Sequence, residues 1–404
     1  MSHLKPAEPR HFPTILFVHD YRPEARALTD LMRQLLLGYP TEKIHWWYCR
    51  ETPLYEKPDL RAASLHTCHL PEKLVPHLRW TRLKATVLER WWAPRAARHL
   101  ERTLAVVKPD VIWLLLFGWT IPVVARTRFA AGARIHASLC DMPDTASMMR
   151  ALGAARCQRF METALRLVQQ AESCSGGGHG MVEEMNLRTG RTDGLVVHSG
   201  FEPHHLTALE QAPAPQTEDG VIRLAYVGTI ISEAGFQEML AALKEIRSQV
   251  PQKVVLEFFG GRNYRSRAWF EPEWMTEHGM FTDEGLVAAL RRCAWGVVVM
   301  DPSGEDLQYS RFSFPNKIGT CLSAGVPVLG FGHPTSSLGH IMQAHRLGRF
   351  TPATTHAEMA SFWLQSLRMA SPPAAFRDDI LRCARTEFNA ADMRAKLWQL
   401  WGVR

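Results

Sequence analysis

None of the eight cysteines (Cys49, Cys68, Cys140, Cys157, Cys174, Cys293, Cys321 and Cys383) forms a Cys-x-x-Cys pair. They read as reduced thiols, many of them buried, rather than as a disulfide framework. Histidines and acids do not cluster with metal-ligand spacing either. A hydrophobic run able to span a bilayer is also missing. The longest, Val111 to Ala125, is too short and carries Gly118 and Pro122, so it reads as a buried strand followed by a helix start. The opening residues, Met1 to Arg10, lack the apolar core of a secretory signal. Internal repeats and low-complexity tracts are absent. Together these absences lead us to expect a soluble, cytoplasmic chain.

What is present is a globular composition, with 46% hydrophobic and 22% charged residues over 404 positions. That length exceeds one ordinary core and predicts two domains. Strand-like and helix-like segments alternate from end to end, the pattern of parallel α/β sheets covered on both faces. Thr14 to His19 reads as a first strand and Glu24 to Leu37 as a helix. Val111 to Phe117 and Ala133 to Leu139 continue the sheet, Ala154 to Gln170 is helical, and Gly194 to His198 is a late strand. The proline-rich stretch Gln211 to Gly220 breaks the alternation and is the expected linker. A second alternating set starts at Ile222. Ala391 to Trp401 reads as an amphipathic last helix carrying Met393, Leu397, Leu400 and Trp401.

Residues 307–330 hold the clearest functional pattern. A polar loop with Ser313, Pro315, Asn316 and Lys317 runs into a short helix with Ile318, Leu322 and Ala324 on its apolar side. Gly325 closes the helix, and Val326 to Leu329 follows as a short buried strand. Backbone N–H groups at a helix start, with a lysine beside them, suit a phosphate-bearing ligand. Taken alone, the same pattern fits any loop–helix–strand unit.

In parallel sheets, ligands gather at the carboxyl ends of strands. His19 and Asp20 follow the first strand, Asp141 follows Ala133–Leu139, and Gly228-Thr229 and Gly260-Gly261-Arg262 end strands further on. The glycine turns let backbone approach a phosphate. Arg262 suits bidentate contact with a diphosphate, with a solvated surface charge as the alternative. His19 and His136 are either catalytic candidates or plain strand-end and core histidines, and Asp144 is an alternative helix N-cap.

The run Ser313-Phe-Pro-Asn-Lys through Ala324-Gly-Val-Pro-Val resembles the donor-site segment of retaining GT-B glycosyltransferases of family four. Leu224-Ala-Tyr-Val-Gly-Thr resembles the opening strand and turn of that family's C-terminal domain, and Gly235 to Leu243 the helix after it. Val255 to Gly261 and Glu277 to Leu286 are similar to the next strand and to the loop that receives the base. Gly178 to Met185 and Val197 to Pro203 are similar to the segment before the interdomain linker.

The resemblance implies a GT-B fold: two Rossmann-like domains facing a central cleft, with a C-terminal helix crossing back to the first. On that plan 1–210 is the acceptor domain, 211–221 the linker, 222–385 the nucleotide-sugar domain and 386–404 the crossover helix. The implied activity moves a sugar from a UDP- or GDP-linked donor to a glycan or lipid-linked acceptor, as in bacterial-type surface polysaccharide or glycoconjugate synthesis. In the retaining scheme the leaving diphosphate takes the proton of the incoming hydroxyl, and no metal or other cofactor is required. Donor contacts would come from Gly228, Thr229, Gly260, Gly261, Arg262, Phe281, Ser313, Pro315, Asn316, Lys317 and Thr320. Asp141, in the family's acceptor-side loop position, and His19 and His136 are the catalytic candidates.

The chain also departs from the family pattern. Phe312 and Thr320 stand where most members carry two glutamates, and Thr229 and Ala234 where they carry an arginine–lysine diphosphate clamp. Tyr21-Arg-Pro-Glu-Ala replaces a glycine pair after the first strand. Lys317, Arg262 and Arg311 are the basic residues nearby that remain for the clamp, with Glu305 and Asp306 as acids near the sugar. These losses keep two alternatives open. One is a catalytically silent GT-B subunit that binds or scaffolds; the other is a nucleotide-sugar epimerase of the same fold.

The net charge of +7 is concentrated in part on residues 73–103. Lys73, Arg79, Arg82, Lys84, Arg90, Arg95, Arg98 and Arg102 interleave there with Trp80, Trp91 and Trp92. A basic helix with aromatic residues is a membrane-surface signature, and GT-B enzymes with lipid-linked acceptors carry such a patch. The implied enzyme is therefore peripheral, at the inner face of the cytoplasmic membrane. Arginines covering apolar surface on a solvated helix are the alternative, with Trp91 and Trp92 in the core. Nucleic acid is not expected, since no recognition module accompanies the charge.

Overall fold

The computed structural model describes residues 11–23, 28–50, 61–71, 80–142, 145–215, 220–300, 307–369 and 372–404. Glu24, Lys73, Arg79, Asp144, Glu305, Asp306 and the 216–219 part of the expected linker lie outside the described residues.

The chain forms two compact units. Unit 1 comprises residues up to Gly177, Val182–Val197 and Asp392–Arg404. Its strands are β1 (Ile15–Val18), β2 (Ile44–Tyr48), β3 (Ser64–Thr67), β4 (Val111–Leu115), β5 (Arg134–Leu139), β6 (Ser173–Gly176) and β7 (Leu195–Val196). They form one sheet in the order β3-β2-β1-β4-β5-β6-β7, with every pair parallel. β1 and β4 are buried at every position, which is why they read as unbroken apolar runs instead of alternating ones.

β6 is built differently. Ser173, Cys174, Ser175 and Gly176 are buried, and their hydroxyls are satisfied across the sheet rather than by water. The His136 ring nitrogens meet Ser173 Oγ at 2.8 Å and Ser175 Oγ at 3.0 Å. Ser138 Oγ lies 2.7 Å from Ser175 Oγ and accepts the Trp113 indole N–H at 2.8 Å. Both imidazole nitrogens are thus consumed inside the sheet, and burial pulls His136 down to about 3. His136 is a core histidine holding a polar seam, which corrects its reading as a catalytic candidate.

Unit 2 comprises Gly178–Met181 and His198–Ala391. Its strands are β8 (Val221–Val227), β9 (Lys253–Phe259), β10 (Met275–Glu277), β11 (Trp295–Val299), β12 (Val328–Phe331) and β13 (Gly348–Thr351). Their order is β10-β9-β8-β11-β12-β13, again all parallel. Helices Glu233–Ile246 and His356–Leu367 bury Phe236, Leu243, Phe362 and Trp363 against this sheet.

The chain passes between units at Val197/His198 and returns at Ala391/Asp392, not at 211–221 and 385/386. The reason is helix Pro203–Gln211, whose Leu209 is buried in the core of unit 2. Arg377 then donates to the carbonyls of Leu209, Glu210 and Ala212, and Arg291 donates to that of Pro213. The proline-rich stretch is tied down at its start by these arginines. The last helix, Ala390–Leu400, returns the chain to unit 1 as the GT-B plan requires. Leu397, Trp398 and Trp401 join the core with Ile15, Trp46 and Trp113, and the Trp398 indole donates to Leu35 O at 2.9 Å.

Helices Thr81–Val87 and Ala93–Val107 run on through a π turn at Leu88–Trp92. The turn points Trp92 inward and Trp91 outward. Trp80 (75% exposed), Leu83 (58%) and Trp91 (62%) stand in solvent, among exposed Arg82, Arg90, Arg95, Arg98 and Arg102. Among the described residues no helix is long and apolar enough to cross a membrane.

Candidate functional site

At the carboxyl end of β8 the chain turns through Gly228, whose φ of +73° suits glycine. Two phenols brace this turn. Tyr264 Oη donates to Gly228 O at 2.9 Å and accepts the Ile230 N–H at 2.8 Å. Tyr226 Oη lies 3.3 Å from Thr229 O. Tyr264 is held in turn by Glu277 at the end of β10, which accepts the N–H groups of Tyr264 (2.7 Å) and Arg265 (2.9 Å).

Two cations from separate segments converge on the same turn. Arg262, from the loop after β9, donates through Nε to Thr229 Oγ1 at 2.9 Å. Lys317, the first residue of helix Lys317–Ser323, donates to Tyr226 Oη at 2.8 Å and to Thr229 O. Its ammonium position lies 4.2 Å from the centroid of the Tyr226 ring. Burial pulls Lys317 down to about 7 and pushes the Tyr226 and Tyr264 phenols up.

Gly228, Thr229, Gly260, Arg262 and Lys317 therefore come together, with a Cβ on Gly260 only 3.4 Å from Gly228 Cα. Gly261 abuts Met280, and the neighbouring Phe281 is 38% exposed with its ring 5.8 Å from that of Phe259. Ser313 and Pro315 are buried below the loop. Asn316 is exposed at the helix start, and Thr320 Oγ1 turns back to its carbonyl at 3.4 Å. Phe312 is buried under the Arg311 guanidinium, 5.1 Å from its ring centroid. The sequence reading missed Tyr226, Tyr264 and Glu277. Tyr226, two residues before a strand-end glycine, and Glu277, at the start of a family-like segment, offered a signal; Tyr264 offered none.

His19, Asp20 and Asp141 belong to unit 1. His19 is fully buried, its Nδ1 accepts the Tyr21 N–H at 3.3 Å, and burial pulls it down to about 4. Asp20 is equally buried and accepts the N–H groups of Trp119 (3.2 Å) and Thr120 (2.9 Å) at the start of helix Thr120–Val124. Burial raises it to about 6, against the pull of Arg50 and these donors. Asp141, two residues beyond β5, is partly exposed.

Gly118 takes φ +54°, and a Cβ there would stand 2.3 Å from Asp20 Oδ2. Gly118→Ala is expected to cost about 2–3 kcal/mol, from backbone strain and displacement of the carboxylate. Urea unfolding at neutral pH measures it, and a midpoint equal to wild type would refute this packing.

Among solved structures, the chain is similar to HepE from Anabaena in complex with UDP and glucose, at 13% identity and TM-score 0.62, covering 96% of this chain and 98% of that one. It is similar to an α,α-trehalose-phosphate synthase from Burkholderia xenovorans in complex with glucose-6-phosphate, at 14% identity and TM-score 0.63, covering 96% and 99%. It is also similar to the apo form of the lipopolysaccharide outer core galactosyltransferase WaaB, at 12% identity and TM-score 0.63, covering 96% and 98%. No protein-family model matches the sequence, and a search of curated proteins finds no relative. The architecture these structures share with the chain is the GT-B glycosyltransferase fold.

Proposed function

We propose that this protein transfers a sugar from a nucleotide-sugar to a glycan or lipid-linked acceptor, in surface polysaccharide or glycoconjugate synthesis. The observation that carries the reading is the convergence of Arg262 and Lys317 on the Gly228-Thr229 turn. Two cations beside a strand-end glycine turn suit a diphosphate. They stand in for the clamp that Thr229 and Ala234 do not supply. In this reading they stabilise charge on the departing diphosphate, and Phe281 offers an exposed ring to the base. Asp141 faces the acceptor, while His19 acts only by fixing the Tyr21 turn. The UDP-bound HepE and the lipopolysaccharide enzyme WaaB support this donor and acceptor class.

A thermal-shift panel of UDP, GDP, ADP and their sugars tests the proposal, since a ligand of the native state raises its apparent stability. No shift with any of them would sink it. A second reading, a catalytically silent binding subunit, is favoured by one observation: neither Phe312 nor Thr320 brings a carboxylate to the sugar position. Donor binding without transfer or hydrolysis would select it.

The acceptor side of the proposal includes the surface around Trp80, Leu83 and Trp91. Membrane binding there is expected on anionic vesicles and to fall with salt, because each basic residue contributes about 1 kcal/mol near a charged surface and is screened within a Debye length. Co-sedimentation with neutral and anionic liposomes measures it. Equal pelleting with both, or none with either, removes the membrane and favours a soluble acceptor.

A further inference from the structure

Lys317 is half-buried and has an unusual set of partners for a cation. Its Nζ has two acceptors, Tyr226 Oη and Thr229 O, and both are neutral. Two acceptors serve the two N–H bonds of a neutral amine; the third proton of an ammonium has only the Tyr226 ring face and solvent. The groups facing it are Tyr226 from β8, the Thr229 carbonyl from the turn and the Cys321 thiol on its own helix. Arg262 and Tyr264 reach the same turn from the β9 loop. Among the described residues no carboxylate pairs with Lys317, so no counter-charge there offsets the water its charge loses on partial burial.

We propose that anion capture at this turn is coupled to proton uptake by Lys317, which becomes a full ammonium when a diphosphate oxygen supplies the missing counter-charge. The inference rests on the nucleotide-sugar reading of the site and adds a property that reading does not require. The lowered proton affinity of Lys317 agrees with it. As pH rises through about 7 the free protein gives up this proton, while the complex keeps it, so binding takes up more protons on the alkaline side. Affinity should then fall on the order of tenfold per pH unit above that point.

The probe is UDP-glucose, whose diphosphate does not titrate near neutrality. Its binding heat is measured at pH 8 in Tris and in HEPES, whose ionisation enthalpies differ. Wild type should take up close to one proton per ligand. Arg262→Gln should bind more weakly and take up the same number, while Lys317→Arg should bind with none. Equal heats in both buffers for wild type, or uptake persisting in Lys317→Arg, overturn the coupling but leave the donor site standing. Should UDP-glucose not bind, the same titration is run with GDP- and ADP-sugars, and absence of binding by all three overturns both. Should Lys317→Arg not fold, a wild-type affinity that is flat from pH 6 to 9 refutes the inference by itself.

Discussion

Acidifying the protein from pH 6.5 to 4 is expected to cost unit 1 about 3 kcal/mol of stability through three buried groups. His19 and His136 titrate at about 4 and 3 in the folded chain, because burial penalises their charged forms. Unfolded, they titrate near 6.5, so over this range the unfolded state binds more protons. Each then removes about 1.4 kcal/mol per pH unit as pH falls. Asp20 runs the other way. Burial raises its folded value to about 6, so its contribution is full below the ordinary carboxylate range and is lost as pH rises. It offsets one of the two histidines between pH 6 and 4. Urea unfolding at a series of pH values checks the sum, and Asp20→Asn isolates its parts by steepening the acid slope towards about 2.7 kcal/mol per pH unit. A slope unchanged in that variant would remove Asp20 from the balance.

Lys317→Ala is expected to weaken UDP binding about 10- to 100-fold, the loss of one charge-assisted contact worth roughly 1.5–3 kcal/mol. The turn itself should persist, because Tyr264 holds Gly228 and Ile230 without Lys317. Isothermal titration with UDP reads the loss, and circular dichroism confirms that the variant is folded. Unchanged affinity would place the phosphate elsewhere, with Arg262 the next residue to substitute.

Much of the fold was legible because burial on both faces writes itself into the chain as apolar runs. Val111 to Leu115 and the helix Ala154–Gln170 could be read directly. Lys317, Arg262 and the glycine turns were legible for a related reason, since strand ends and φ-permissive residues are local features. The strand Ser173–Gly176 was not, because its hydroxyls are satisfied only by His136 and Ser138 on the neighbouring strand. The same contact turned His136 from a catalytic candidate into a core residue. The boundary at Val197/His198 was hidden as well, as the attachment of helix Pro203–Gln211 depends on Arg377 and Arg291, far along the chain.

The sequence by itself determined the two parallel sheets, the returning last helix and the candidacy of Lys317 and Arg262 beside a strand-end glycine turn, since periodicity and residue type carry that information locally. Only the tertiary structure decided which polar groups are consumed in the interior and which remain to meet a ligand. Desolvation and hydrogen bonding depend on partners that chain order does not place side by side.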